Sequence, residues 1–435
     1  MSQHKPYPAY QKTDVEWIGK LPKRWSVARI KRHATLRSER CTEVPTGTTY
    51  IGLEDVEPET GKYKPTPGNS RQSEDSTVGI YRDLDVLYGK LRPYLRKSIV
   101  AAGSGVCSTE FLVLHTESLD PNWLHQWLLT PVVTQQIEAG CDGAKMPRAD
   151  WEYVGSIPIP VPSKDEQAEI IKSMIEETAR IDALISKKSR FIELLNEKRQ
   201  VLIKRAVTKG LDPSVKLKDS GVEWIGRIPE HWSVLPIKFL ARIGNGSTPS
   251  KENSQYWDGG TFPWLTSGCV NKDAVNAAEQ FITETALREC HLPIIDPPAV
   301  LVGITGQGKT RGMASILLIE ATINQHIAYL KPISNDLCLE YLRIFLDAAY
   351  DWMRFESEGT GSTKGAITCE QLANMKIVLP SIAEQKDTLA LVQRQTDQID
   401  RLAQKTQRSI DLLKERRSAF ITAAVTGQID LREAA

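Results

Sequence analysis

No apolar run in this sequence approaches the length needed to cross a bilayer, and the polar start MSQHKPYPAY lacks the apolar stretch of a signal peptide, so no membrane association is expected. No C-x-x-C pair occurs. The seven cysteines (Cys41, Cys107, Cys141, Cys269, Cys290, Cys338, Cys369) are scattered, which argues against a zinc site and a disulfide framework and fits a reducing, cytoplasmic location. Charge of one sign is not in excess. With a formal net charge of +1, any polyanion must be met by local basic clusters rather than by the whole surface. Neither G-x-S-x-G nor H-E-x-x-H is present, and His231, His291 and His326 have no ligand spacing, so catalysis and metal binding on this chain are not expected. What remains is a soluble, globular composition of 435 residues, enough for two or three folded units.

The chain is written twice. Residues 15–31, VEWIGKLPKRWSVARIK, return at 222–238 as VEWIGRIPEHWSVLPIK, identical at eleven of seventeen positions. A second match closes each copy and aligns without a gap from Pro162 to Asp212 and from Pro380 to Asp430. Both closing segments read as helices. Ser163 with Glu166, and Ser381 with Glu384, have capping-box spacing. Beyond them Met174, Thr178, Ile181, Ile185, Lys188, Ile192, Leu195, Arg199, Leu202 and Ala206 alternate steps of four and three. The second copy gives Val392, Thr396, Ile399, Ala403, Thr406, Ile410, Leu413, Arg417, Phe420 and Ala424. Such spacing, with no internal Gly or Pro, specifies a coiled-coil seam, and the simplest partner for each helix is the other. About 45 residues at 1.5 Å each would run roughly 65–70 Å.

Between opener and helix lie two bodies, roughly 30–160 and 240–378. Short β-branched and aromatic runs mark strands in each: TTYIGL, DVLYGKL, KSIVAAG and FLVLH in the first, TFPWLTSG, PAVLVGI, ASILLIEA and HIAYLKP in the second. NWLHQWLLT and LEYLRIFLDAAYDWM read as helices. The expected fold is α+β: two mixed α/β bodies separated by two long antiparallel coiled-coil helices, with pseudo-two-fold internal repeat. The expected boundaries are a first body at 1–160, a first long helix at 161–209, a second body at 210–378 and a second long helix at 379–435.

One string points elsewhere. Residues 303–310, GITGQGKT, match the phosphate-cradling P-loop G-x-x-x-x-G-K-[ST] without mismatch. A working P-loop follows a strand and opens a helix. Here the strand is present at 299–302, but Arg311-Gly312 and the β-branched MASILLIEATI read as a strand returning from a hairpin. Asp296-Pro297-Pro298-Ala299 similarly lacks the aromatic of the adenine-methyltransferase motif and reads as a turn.

The loops have a composition of their own. Lys90, Arg92, Arg96 and Lys97 crowd one stretch with Tyr88 and Tyr94 interleaved, and Lys145 and Arg148 sit in GCDGAKMPR. In the second half Lys309 and Arg311 occupy the GITGQGKT loop, Lys364 sits in GTGSTKGA, and Lys251 lies with Asn253 and Gln255 in GNGSTPSKENSQYWDGG. Arg and Lys neutralise phosphates or grip guanine edges, Asn and Gln suit adenine, and glycines allow close backbone approach. These ten basic residues are the candidate DNA contacts.

The W-I-G-x-[IL]-P-x-x-W-S-V openers, LRPYL followed by STEFLVL at 108–114, the run into Asn324-Gln325-His326 and the duplicated helical tails together resemble the specificity subunit of type I restriction–modification enzymes. The resemblance covers nearly the whole chain in order. It implies a non-catalytic DNA-recognition subunit whose two target-recognition domains each read one half of a bipartite site in double-stranded DNA. The helices would be both spacer and dock for two modification (methyltransferase) subunits. Restriction subunits, carrying motor and nuclease, would join that core. S-adenosylmethionine, ATP and Mg are then expected on the partners and no cofactor on this chain. Two bodies on a stiff helical pair suit a molecular ruler, with half-site spacing following helix length. A P-loop NTPase and a coiled-coil scaffold joining two protein-binding modules are the alternatives.

Overall fold

The computed structural model describes residues 5–65, 77–141, 146–306, 308–358 and 365–432. They form two compact units, one of residues 1–189 with 407–435 and the other of residues 190–406. The long helices, Lys164–Lys209 and Ile382–Val425, are therefore shared, each divided near its middle. The sequence boundaries treated them as separate segments. Each half instead belongs to the body it packs on, because its apolar stripe is part of that body's core: Ile170, Ile171, Met174, Ile421 and Val425 in the first unit, Ile203, Val207 and Val392 in the second. The second helix also stops earlier than 435; residues 426–432 leave it and turn back on the unit's opener.

Every predicted seam position is buried or half-buried. The polar ones are satisfied in ways that periodicity alone does not show. Buried Thr396 and Thr406 donate to the carbonyls of Val392 (2.9 Å) and Leu402 (2.8 Å), and Arg199 meets Asp400 at 3.6 Å. In the first unit Arg417 meets Asp182 (3.1 Å) and Arg416 meets Glu177 (3.2 Å). Within the first unit Ile170, Ile171 and Met174 pack with Ile421, Ala424 and Val425, and further along Glu177 meets Arg416, so rising numbers on one helix go with falling numbers on the other and the helices run antiparallel. The Ser381–Glu384 capping box is reciprocal, with Ser381 N donating to Glu384 Oε2 (3.1 Å) and Glu384 N donating to Ser381 Oγ (3.3 Å).

Both units are built to one plan. An opener hairpin pairs Tyr10–Lys12 with Lys20–Pro22 in the first and Leu217–Asp219 with Arg227–Pro229 in the second. A neck of two antiparallel strands closes each body, Ser26–Arg29 with Pro158–Val161 and Ser233–Pro236 with Lys376–Leu379. Inside the first neck a four-stranded sheet runs in the order Ala34–Leu36, Phe111–Thr116, Val86–Gly89, Ser98–Val100. Inside the second the order is Ala241–Asn245, Ile327–Pro332, Ala299–Gly303, Ala314–Leu317, with Ala274–Val275 added at the edge. The named apolar runs are thus strands. NWLHQWLLT gives the helix Pro121–Leu128, and the second helical run breaks into Leu339–Ala348 and Tyr350–Glu358.

The tryptophans of the openers anchor the cores. Trp17 stacks on Trp127 (5.8 Å, 23°) and Trp224 on Trp352 (5.9 Å, 25°), while Trp25 and Trp232 are buried. Each long helix ends in a left-handed glycine facing an opener. Gly210 (φ +69°) lies against Pro229 and Trp232, and Gly427 (φ +65°) against Pro22 and Trp25. A Cβ on Gly427 would sit 2.4 Å from Pro22 Cδ. Gly427→Ala is expected to cost about 1–3 kcal/mol, from the left-handed backbone and the overpacked contact. Thermal unfolding checks this against Gly308→Ala, where an added Cβ meets nothing within 4 Å and little change is expected.

Candidate nucleic-acid interface

In the first unit the candidate loop joins the strands Val86–Gly89 and Ser98–Val100. Its base is tied on three sides: Gly89 N to Lys97 O (2.8 Å), Lys90 N to Glu110 O (2.9 Å) and Ala149 N to Lys90 O (2.9 Å). Arg92 and Arg96 hold left-handed backbone (φ +54° and +47°) on either side of the turn Pro93–Leu95. Two non-glycine residues in that region mark a loop whose shape is imposed by its surroundings. The basic side chains then divide. Arg92 and Tyr94 are exposed, whereas Arg96 is paired with Glu59 and Lys97 Nζ donates to Leu53 O (2.6 Å), so these two brace the loop. Arg148 reaches Glu110 (2.8 Å). Burial lowers the pKa of Lys90; Glu110 opposes that shift, while Arg148 and Arg40 add to it. Arg148 and Arg40 therefore both lie close enough to Lys90 to repel it, a basic patch with Glu110 in it. Arg40 was not among the sequence candidates because it lies fifty residues upstream on the short strand Arg40–Cys41.

In the second unit GITGQGKT occupies the same place. Gly303 ends one strand, Ala314 begins the next, and the two strands pair antiparallel. The residues after Lys309 form a turn and a strand, with no helix whose N–H groups could gather on a phosphate. The glycines serve the hairpin instead. A Cβ on Gly303 would lie 2.3 Å from Thr310 O, and Gly306 and Gly312 have φ of +118° and +90°. The carbonyls of the turn are engaged from the side: Gly308 O accepts from Arg354 (2.6 Å) and Lys309 O from Tyr350 Oη (2.8 Å). The Lys309 side chain stays exposed, as does Lys251. Arg311 does not. It is 3% exposed and pairs with Glu358 (2.9 Å), which pins the returning arm of the hairpin to the helix Tyr350–Glu358. Its place is in the scaffold, a correction to its reading as a surface cation. Lys145 and Lys364 lie outside the described residues.

The two loops share a hydrogen-bond frame as well as a position. Lys90 N donates to Glu110 O, and Ile304 N donates to His326 O, both at 2.9 Å. Ala149 N donates to Lys90 O, and Ile367 N donates to Ile304 O. Ser108 N donates to Ile51 O, and Asn324 N donates to Leu265 O. Ser108-Thr109-Glu110 and Asn324-Gln325-His326 are thus counterparts, each leading into the central strand of its sheet. Around the second, Thr305 Oγ1 lies 2.6 Å from His326 Nδ1 and Thr248 Oγ1 donates to Gln325 Oε1 at 2.6 Å. The frame is duplicated; the side chains it displays are not.

Among the described residues no group of His, Cys, Asp and Glu is placed to hold a metal ion, and no helix is long and apolar enough to cross a membrane. Comparison with known proteins places this arrangement. Residues 229–411 match the family described as Type I restriction modification DNA specificity domain. The chain is 26% identical over 247 residues to the Type I restriction enzyme EcoR124I/EcoR124II specificity subunit of Escherichia coli, covering 55% of each chain. It is 31% identical over 169 residues to the Type I restriction enzyme MjaIX specificity subunit of Methanocaldococcus jannaschii, covering 37% of each. The aligned part thus spans about half or less of the length of these relatives. A solved chain described under "Structural basis underlying complex assembly and conformational transition of the type I R-M system" superposes with a TM-score of 0.68 at 19% identity, over 93% of this chain and 98% of that one, and so shares its fold. With the duplicated openers, helices and loop frames, these matches make the chain similar in sequence and in fold to specificity subunits of type I restriction–modification enzymes.

Proposed function

We propose that this chain is the DNA-recognition subunit of a type I restriction–modification complex and that each unit reads one half of a bipartite, asymmetric site. One observation carries the reading: the two units hold equivalent loops on the same hydrogen-bond frame but present different side chains, Lys90, Arg148 and Glu110 in one and Thr305, His326 and Gln325 in the other. A duplicated scaffold with unlike reading edges suits a duplex whose two half-sites differ. Exposed Arg92, Lys251 and Lys309 supply phosphate contacts that set register, while the polar groups at the loop bases address base edges. The repeated openers and helix ends offer the same surface twice, which suits two copies of one modification subunit. Restriction subunits join that core. Methyl transfer from S-adenosylmethionine and ATP- and Mg-dependent work then take place on those partners, this chain contributing position and not chemistry.

The test compares two neighbouring cations in the assembled complex. Lys309→Ala is expected to weaken binding about equally on all sequences and to reduce the slope of log K against log salt by about 0.9, the loss of one phosphate contact. Arg311→Met instead strips the ion pair with Glu358 and is expected to lower thermal stability, with the salt slope unchanged. A Lys309→Ala complex with the parent slope would remove the hairpin from the interface, and a parent complex without sequence preference at moderate salt would remove the function.

A further inference from the structure

Gln325, at the base of the second loop, is exposed, yet its amide is held. The strand feeding it, Thr322–Ile323, runs parallel to Phe262–Leu265. The segment GNGSTPS is laid flush on that strand's end. A Cβ on Gly246 would lie 1.7 Å from Ile323 O, so only glycine permits this approach. The indole N–H groups of Trp264 and Trp257 fasten the same segment through Ser247 O (3.2 Å) and Ser250 O (2.9 Å). This places Thr248 beside Gln325. The turn beneath is closed by Asn324 Oδ1, which accepts from His326 N at 3.0 Å.

Resting on the DNA-recognition reading above, we propose that Gln325 is a specificity-determining residue of unit 190–406, reading an adenine in the major groove, and that Thr248 is its positioning residue. The Thr248 hydroxyl donates to Gln325 Oε1, taking one lone pair and holding the amide with its oxygen towards the hydroxyl. The outward edge keeps one acceptor lone pair on Oε1 and the N–H donors of Nε2. Adenine presents the complement, an N7 acceptor beside an N6 donor. Guanine presents acceptors at both N7 and O6, so the held oxygen would face O6 unpaired. An amide free to rotate would lose part of that discrimination, which is the contribution of Thr248. The counterpart of Gln325 in the first unit is Thr109, so the two units apply unlike readers at one place in the frame.

The experiment selects bound sequences from a randomised double-stranded DNA library, using the complex of this chain with its partner subunits. Gln325→Ala is expected to lower discrimination at one A·T position of one half-site by about tenfold or more, leaving the other half-site as it was. Thr248→Val is expected to relax the same position in part, and Thr248→Ser to restore it. Gln325→Glu, close to isosteric, keeps a readout if Gln325→Ala fails to fold: it cannot donate to N7 and is expected to turn the preference towards cytosine, whose N4 donates. Retention of the full adenine preference by a folded Gln325→Ala or Gln325→Glu complex would overturn the assignment, as would a change confined to a G·C position. If the parent complex selects no sequence at all, the recognition function falls with it; if the parent selects and the variants do not differ, only the assignment of Gln325 falls.

Discussion

On the proposed function, exchanging residues 237–375 for the equivalent body of a type I specificity subunit is expected to replace one half of the recognised sequence and leave the other half untouched. The neck makes this exchange clean. Ser233–Pro236 and Lys376–Leu379 pair antiparallel across the point where chain enters and leaves the body, so the cut falls at one closed gate. Outside it, Trp232 donates to Glu384 Oε1 (3.0 Å) and His231 lies 2.7 Å from the same oxygen. Burial pushes the Glu384 pKa up, but hydrogen bonds from Trp232, His231 and Ser381 outweigh it and hold the group at about 2. The carboxylate on the long helix therefore stays charged and the platform intact whichever body is mounted. Specific protein–DNA complexes gain roughly 10³–10⁷ over non-specific binding, so a switched half-site amounts to a change of several orders of magnitude at both old and new sequences. Sequencing of methylated sites in cells carrying the exchanged chain and its partners measures it. A change in both half-sites would show that the bodies do not read independently.

The second large effect is on stability. Trp25→Ala is expected to cost about 3–5 kcal/mol, the range for truncating a buried aromatic. Trp25 is 1% exposed and packs edge-on against Tyr7 (5.6 Å, 73°) and Trp123 (5.5 Å, 81°), beneath Gly427. Its indole N–H is buried without a hydrogen-bond partner among the described residues, so Trp25→Phe, which removes that donor and keeps most of the aromatic surface, is expected to cost far less. Hydrogen exchange should rise in residues 1–189 and 407–435 and stay near the parent level in 190–406, since each unit has its own core. Equal loosening of both units would contradict that division.

Much of this was legible in the residues. The repeat, the long helices and their seam, and the hairpin hidden in GITGQGKT follow from spacing and β-branching, which are local properties. The interface was less legible because exposure is not local. Arg311 stands next to Thr310 and two residues from Lys309, but the helix at 350–358 buries one cation and leaves the other free. Arg96 and Lys97 look like Arg92 in sequence, and only the fold brings Glu59 and the Leu53 carbonyl to them. Arg40 and Thr248 carry no signal in their own neighbourhoods; they matter through residues about 50 and 77 positions away, Lys90 and Gln325. The correspondence of STEFLVL with NQHIAYL becomes plain only through the shared hydrogen-bond frame, which puts both at the same corner of their sheets.

The return of residues 426–432 to the first opener also sets an order of events during synthesis. Asp430 N donates to Lys5 O (2.8 Å), and Gln428 Nε2 donates to Lys20 O (3.1 Å). The unit made of residues 190–406 is one unbroken stretch and can close as soon as it leaves the ribosome. The unit translated first cannot. Its opening residues wait until the stretch from 407 onward has been made, at about 5–20 residues per second, before their last core elements arrive. Until then Trp25 and the apolar face at Ile170, Ile171 and Met174 are short of Ile421, Ala424 and Val425. Residues 190–406 thus mature before the unit that brackets them, and a ribosome that stalls before residue 421 leaves residues 5–189 still open to chaperones and proteases.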